Sequence, residues 1–225
     1  MMFKLDVLFE DDHCLVVNKP AGVAVHPSNE GQTGTLAHFV AAYYEQTGQN
    51  CPVRHIHRLD EWTSGPVLYA KNAASQRILD EAMRQKQIER IYIAFVSGRM
   101  KKQKGRLDYP IGRDRHHNQR RRVSATGDHA VTHFEIIEEY AGTTMVRLTL
   151  ETGRTHQIRV HLSHIGHSLL GDKLYYGPVD RISRQALHGD QLIFTHPGTG
   201  EKIHIEAPWP EDLTILWNQL KKNKL

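Results

Sequence analysis

The chain has 225 residues, enough to bury a substantial core, and this length favours a single domain spanning residues 1–225. A hydrophobic content of 39% with 24% charged residues is ordinary for a globular protein, and no stretch approaches the ~18–20 consecutive apolar residues of a membrane span. The formal net charge of +4 is unevenly placed: from Arg99 to Arg122 ten Lys/Arg face only Asp108 and Asp114, a local net of +8, so the remainder sums to −4. Solubility alone does not call for such a block. A polyanion does, because each phosphate neutralised releases condensed counterions, and the competing reading is a solvated, mobile basic loop.

The N-terminus mixes acidic residues with apolar ones from the start, unlike a signal peptide, so a cytoplasmic location is expected. Cys14 and Cys51 have no CxxC partner and no zinc-ligand spacing, and both read as buried free thiols. Leu5 to Phe9 and Cys14 to Asn18 read as short strands split by Glu10-Asp11-Asp12 and closed by Lys19-Pro20-Ala21-Gly22. From Thr35 to Gln46 the apolar positions Leu36, Phe39, Val40 and Tyr43 recur at helical spacing. Pro66 to Ala70 reads as a buried strand, and Asn72 as the cap of a helix whose face carries Ile78, Leu79, Ala82 and Met83. Ile91 to Val96 is the next strand.

Beyond the basic segment, Val131 to Glu138 and Thr143 to Leu150 alternate as paired strands, a hairpin with a longer turn across Tyr140-Ala141-Gly142. Gly153-Arg154-Thr155 opens a helix with Thr155 as N-cap, Ile158, Leu162 and Ile165 on one stripe, and Gly166 as the stop. Leu192 to Thr195 and Lys202 to Glu206 form a last strand pair before a helix from about Glu211. Strands outnumber helices, and most are joined by turns too short for a parallel crossover. The expected fold class is therefore α+β on a mixed, largely antiparallel sheet. No GxGxxG or GxxxxGK[ST] run is present, so no dinucleotide or NTP cofactor is expected.

Four ordered motifs carry a resemblance. They are Asn18-Lys19-Pro20-Ala21-Gly22 followed by Val25-His26-Pro27; His57-Arg58-Leu59-Asp60-Glu61-Trp62-Thr63-Ser64-Gly65; Arg90-Ile91-Tyr92-Ile93-Ala94-Phe95-Val96-Ser97-Gly98; and the run from Leu150 to Leu162, with Gly171-Asp172 beyond it. Together they resemble the pseudouridine synthases of the large-subunit rRNA and tRNA type, the RluA-like branch, over nearly the whole sequence. The resemblance implies that fold and an isomerase that converts uridine in RNA to pseudouridine without cofactor or metal. It places the family's catalytic aspartate on Asp60, its active-site tyrosine on Tyr92 and its partner arginine on Arg159.

The chemistry explains those residue types. The anomeric carbon becomes electron-poor as the uracil leaves, so an ionised carboxylate must stand close to it, as nucleophile or as ribose proton acceptor. A carboxylate in a closed pocket takes up a proton unless an opposite charge holds it ionised, which is the role implied for Arg159. Tyr92 would otherwise be a core aromatic of a strand; the resemblance gives its ring a stacking role on the target uracil and its hydroxyl a role in removing the C5 proton. Arg58 is implied to fill the gap left when the target nucleotide flips out. Arg113, Arg115, Arg120, Arg121 and Arg122 resemble a basic excursion that grips RNA, a contact that positions more than it specifies.

Many relatives of this branch carry an S4-type RNA-binding module ahead of the catalytic domain. Here the first strand begins within a few residues of Met1, so that module is expected to be absent. The partner is RNA, rRNA or tRNA, and a monomer is the default. Two other classes compete. A non-catalytic RNA-binding or ribosome-assembly factor on the same fold would have lost the aspartate or the arginine. A metal-dependent hydrolase would show carboxylate and histidine clusters, and His156, His161, His164 and His167 come without HExxH or paired carboxylates, so no metal is expected.

Overall fold

The computed structural model describes residues 4–222. Strands β1 (Val7–Glu10) and β2 (Cys14–Lys19) pair antiparallel, and Asp11 sets the turn between them by accepting the N–H groups of His13 and Cys14 at 2.8 and 2.9 Å. Helix α1 (Leu36–Gln46) starts at Thr35, whose hydroxyl lies 2.7 Å from Nδ1 of His38. Strands β3 (Arg54–His55) and β4 (Gly65–Ala70) complete a four-stranded sheet in the order β1-β2-β4-β3. Asn72 caps helix α2 (Ala73–Arg84) by accepting from the Ser75 N–H at 2.8 Å.

Then come β5 (Glu89–Ser97), β6 (Lys104–Asp108), β7 (Ile111–Arg113), β8 (Arg121–Val123), β9 (Val131–Tyr140) and β10 (Thr143–Leu150). Helix α3 (Gln157–His164), a 3-10 turn at Lys173–Tyr175, strands β11 (Leu187–Thr195) and β12 (Lys202–Glu206), and helix α4 (Glu211–Lys221) follow. No helix among the described residues is long and apolar enough to cross a membrane.

The chain forms two compact units. The first, Met1–Arg90 with Gly189–Pro208, holds the β1-β2-β4-β3 sheet, α1, α2 and the β11–β12 pairing. Its core joins Val16, Leu68, Leu79, Ile88, Leu192 and Phe194. The second, Ile91–His188 with Trp209–Leu225, holds an antiparallel run in the order β5-β10-β9-β6, the β7–β8 hairpin, α3 and α4. Ile93, Phe95, Met145, Leu213, Leu216 and Leu220 pack α4 in that unit.

The α+β class and the antiparallel pairing agree with the sequence reading; four local expectations do not. Tyr140 pairs with Thr143, so the β9–β10 turn is a tight two-residue loop of Ala141 and Gly142 rather than a longer one. Helix α3 is capped by His156 in the left-handed region (φ +58°), not by Thr155. The cause is Gln157: its Oε1 accepts from the Arg154 N–H and the Thr152 hydroxyl, and its Nε2 donates to Val131 O and Thr132 Oγ1, which holds the loop one residue later than a threonine cap would. Ile78 is 49% exposed, since the buried face of α2 runs through Ser75, Leu79 and Ala82. Cys14 is buried, whereas Cys51 is only half-buried; both are free thiols.

Beneath β4 of the first unit, buried His57 accepts the Leu68 N–H on Nε2 at 3.3 Å, and burial, then Arg90 and His55, holds its pKa down to about 3. The unfolded imidazole takes its proton near pH 6.5, so between these values the unfolded chain binds more protons and stability falls as pH falls. His57 should therefore give wild type a steeper stability loss than His57→Gln between about pH 6.5 and 4.5, by up to about 1.4 kcal/mol per pH unit. Urea unfolding across that range measures it, and parallel curves would show that His57 does not resist protonation.

Candidate catalytic residues and nucleic-acid interface

In the first unit Asp60 opens a turn in which the Thr63 N–H donates to Asp60 O at 3.0 Å. The turn is fixed from below by Lys19, which is wholly buried. Its Nζ donates to the carbonyls of Pro20, Val23 and Glu61 at 2.8, 2.8 and 2.9 Å, three donors meeting three acceptors. The Gly22 N–H also donates to Glu61 O, at 2.9 Å. The residue next to Asp60 is thereby tied twice to the Lys-Pro-Ala-Gly loop, while Asp60 itself is half-buried and reachable from solution. On the far side of the turn Gly65 begins β4 at φ +131°, and a Cβ there would lie 2.5 Å from Gly189 O, so only glycine admits this approach. Arg58 is exposed.

In the second unit Tyr92 is buried in β5, opposite Leu148 of β10. Arg159, buried in α3, is held by Asp172 through two parallel hydrogen bonds, Nε to Oδ2 at 2.7 Å and Nη2 to Oδ1 at 2.9 Å. The fork geometry of a guanidinium suits this bidentate pairing and fixes its plane. That plane lies over the ring of Tyr175, 4.9 Å from its centroid. The Tyr175 hydroxyl in turn accepts the Arg121 N–H at 2.9 Å and meets His156 Nδ1 at 2.9 Å, so Arg159 is coupled through Tyr175 to the basic hairpin.

The basic segment is structured rather than a loose loop. Ile111 and Val123 of the β7–β8 hairpin pack with Val160 of α3 and with Tyr175. Its ladder sets Arg113 opposite Arg121 and Gly112 opposite Arg122. Like charges directly opposite one another are destabilising, which is consistent with a polyanion as counter-charge. Arg113, Arg115 and Arg122 are exposed and Arg121 is half-buried. Arg120 differs: its Nε donates to Asp114 at 2.8 Å and its Nη1 to the Tyr176 hydroxyl at 2.5 Å. The His116 N–H and then Arg120 hold the Asp114 carboxyl below the usual range.

Asp172, Tyr175, Gln157 and Lys19 carry no role that their residue types alone declare. The available signals were the Gly171-Asp172 pair closing the last motif and a lysine at the end of an apolar strand before Pro-Ala-Gly. Among the described residues, Asp11, Cys14 and His196 of the first unit bring potential ligand atoms within 4.8 Å of one another. Hydrogen bonding accounts for them: His196 Nε2 meets Asp11 at 2.6 Å, its Nδ1 accepts the Gly198 and Thr199 N–H groups, and burial, then Asp11, pushes the Cys14 thiol up to about 12. Of the four histidines weighed as ligands, His161 is buried between Thr132 and Tyr109 O, and His167 meets Ser97 O.

A family model described as RNA pseudouridylate synthase matches residues 13–164. The uncharacterized RNA pseudouridine synthase YhcT of Bacillus subtilis is 50% identical over 215 residues, covering 95% of this chain and 71% of that protein. Ribosomal large subunit pseudouridine synthase D of Nitrosomonas europaea is 40% identical over 226 residues, covering 96% and 65%. Among solved structures, human RNA pseudouridylate synthase domain containing 1 superposes with a TM-score of 0.76 at 25% identity, over 92% of this chain and 84% of that one.

Asp172 supplies the bidentate acceptor of the buried Arg159 guanidinium. Asp172→Ala should cost about 3–5 kcal/mol of stability, and Asp172→Asn less, since the amide oxygen still accepts one hydrogen bond. Urea denaturation at neutral pH measures both. A loss under about 1 kcal/mol for the alanine variant would mean that the pair is no better than a surface one.

Proposed function

Since the chain belongs to the RNA pseudouridylate synthase family and is an isomerase acting on RNA, we propose that it converts specific uridines of ribosomal or transfer RNA to pseudouridine with Asp60 as the catalytic carboxylate. The observation that carries this reading is a family motif whose aspartate is present, half-exposed, on a turn pinned by buried Lys19. The reaction breaks the bond from N1 of uracil to C1′ of ribose, turns the base, forms the bond from C5 to C1′, and releases the C5 proton while N1 gains one. Asp60 either attacks the sugar or takes a ribose proton, and both routes need it ionised beside the electron-poor sugar. Arg159, oriented by Asp172, is the cation proposed to favour that ionised state. Tyr92 supplies the stacking surface for the uracil and the hydroxyl for the C5 proton.

The target base leaves its stack at a cost of a few kcal/mol, and exposed Arg58 is proposed to fill the vacated space. The arginines of the β7–β8 hairpin contact phosphates. Both units are proposed to belong to one catalytic domain, working as a monomer in the cytoplasm without cofactor or metal. The large-subunit name of the Nitrosomonas relative favours ribosomal RNA as the first substrate to examine.

Pseudouridine mapping on total tRNA and rRNA from cells lacking the protein, complemented with wild type or Asp60→Ala, tests the chemistry. Sites are expected to return only with wild type; full restoration by Asp60→Ala would remove Asp60 from the reaction. No change at any site would favour a non-catalytic RNA-binding role. For the hairpin, replacing Arg113, Arg115 and Arg122 with glutamine should flatten the salt dependence of RNA binding by about 0.7–0.9 in slope for each phosphate no longer neutralised. Titration at several salt concentrations measures it, and an unchanged slope would take the hairpin out of the interface.

A further inference from the structure

Tyr176 stands where a tyrosine is costly to the fold. It follows the 3-10 turn at φ +62° and ψ +26°, the left-handed region that glycine adopts without strain and a tyrosine does not. Its ring returns little through burial, because 78% of the residue is exposed, more than any other large hydrophobic side chain described. The ring is nevertheless held in place. Arg120 Nη1 donates to its hydroxyl at 2.5 Å and the guanidinium lies over the ring at 5.2 Å from the centroid, while Asp114 anchors Arg120 at 2.8 Å. An aromatic ring fixed in place and left open to solvent is pre-organised for a planar ligand. Arg113, Arg115 and Arg122 of the same hairpin are exposed and add positive charge with few acidic neighbours.

We propose that Tyr176, braced by Arg120 and Asp114, is a stacking platform for an unpaired base of the RNA substrate, with the hairpin arginines on the flanking phosphates. A π-face recognises a base only when it is out of a duplex, so the platform selects single-stranded or looped RNA over helices, and it tolerates any base. The assignment rests on the reading of the protein as an enzyme of RNA, and extends it to a contact outside the catalytic residues.

The test uses the full chain and two probes, a short single-stranded oligouridylate carrying one fluorescent aminopurine and an RNA duplex of equal length. Tyr176→Gly relieves the left-handed strain, so its melting temperature should equal or exceed that of wild type. Its affinity for the single strand should nevertheless fall by about 5- to 150-fold, with loss of aminopurine quenching, the range expected for one base stacked on an aromatic ring. Duplex binding should stay within about twofold, since the phosphate contacts are untouched. Tyr176→Phe keeps the ring and should keep most of the quenching. Unchanged affinity and quenching in Tyr176→Gly would overturn the platform, as would an equal loss on both probes with a lowered melting temperature, the mark of a structural role. Asp60→Ala separates the two readings: it should bind and quench like wild type yet form no pseudouridine. Modification surviving in that variant would refute the catalytic assignment and leave the platform to be judged by the quenching alone.

Discussion

The second unit is organised around one buried ion pair. Arg159 and Asp172 come from different elements, α3 and the lead-in to a 3-10 turn, and both are almost wholly shielded from water. A charge in such surroundings is tolerable only with its partner and its hydrogen bonds in place, so the pair constrains everything attached to it. Asp172 Oδ1 also accepts the Tyr175 N–H at 3.3 Å, which sets Tyr175 under the guanidinium. Tyr175 then holds the backbone of β8 through Arg121. The buried guanidinium, the aromatic beneath it and the strand that carries the basic surface are thus one connected assembly.

The first unit poses a related problem at Lys19, which is wholly buried. A buried lysine is unfavourable unless its donors are met, and Lys19 meets three carbonyls on two separate segments. Because one of these carbonyls belongs to Glu61, the position of the residue after Asp60 is set by the interior of the unit rather than by the exposed turn. Rigid support of this kind is what a catalytic carboxylate requires, since a displacement of about 1 Å can cost a hundredfold in rate. The turn can therefore face solution without being loose.

The elements most legible in the sequence were those with a clear period. The Asn72 cap, β9 and β10, α1 and the stop of α3 at Gly166 all declare themselves through local chemistry, and the structure places them within a few residues. What escaped was non-local. The α3 start depends on a buried glutamine that bonds back to β9, some twenty-five residues earlier in the chain, and no cap rule reads that. The basic stretch concealed β6, β7 and β8, because its apolar positions, Leu107, Ile111 and Val123, are too sparse among charges to show alternation. The same holds for the candidate site: Asp60, Tyr92 and Arg159 stand in motifs, while Asp172 and Lys19, which hold Arg159 and the Glu61 carbonyl, have no signature beyond their neighbours.

On the proposed roles, the distribution of charge bears on how a target uridine is chosen. Arginines aimed at phosphates raise affinity for any RNA and carry no sequence information. A stacked base adds selectivity for strandedness but little for identity. Flipping the target costs least where the base is already poorly stacked, so the energetic filter lies in the RNA as much as in the protein. Selection by such a surface must then come from shape: an RNA whose phosphates and unpaired base meet the hairpin at the same time. Each interaction is weak alone, and only an RNA that satisfies them together gains their sum. A chain whose basic residues are gathered into one hairpin, seated on the helix that carries Arg159, is suited to that kind of recognition.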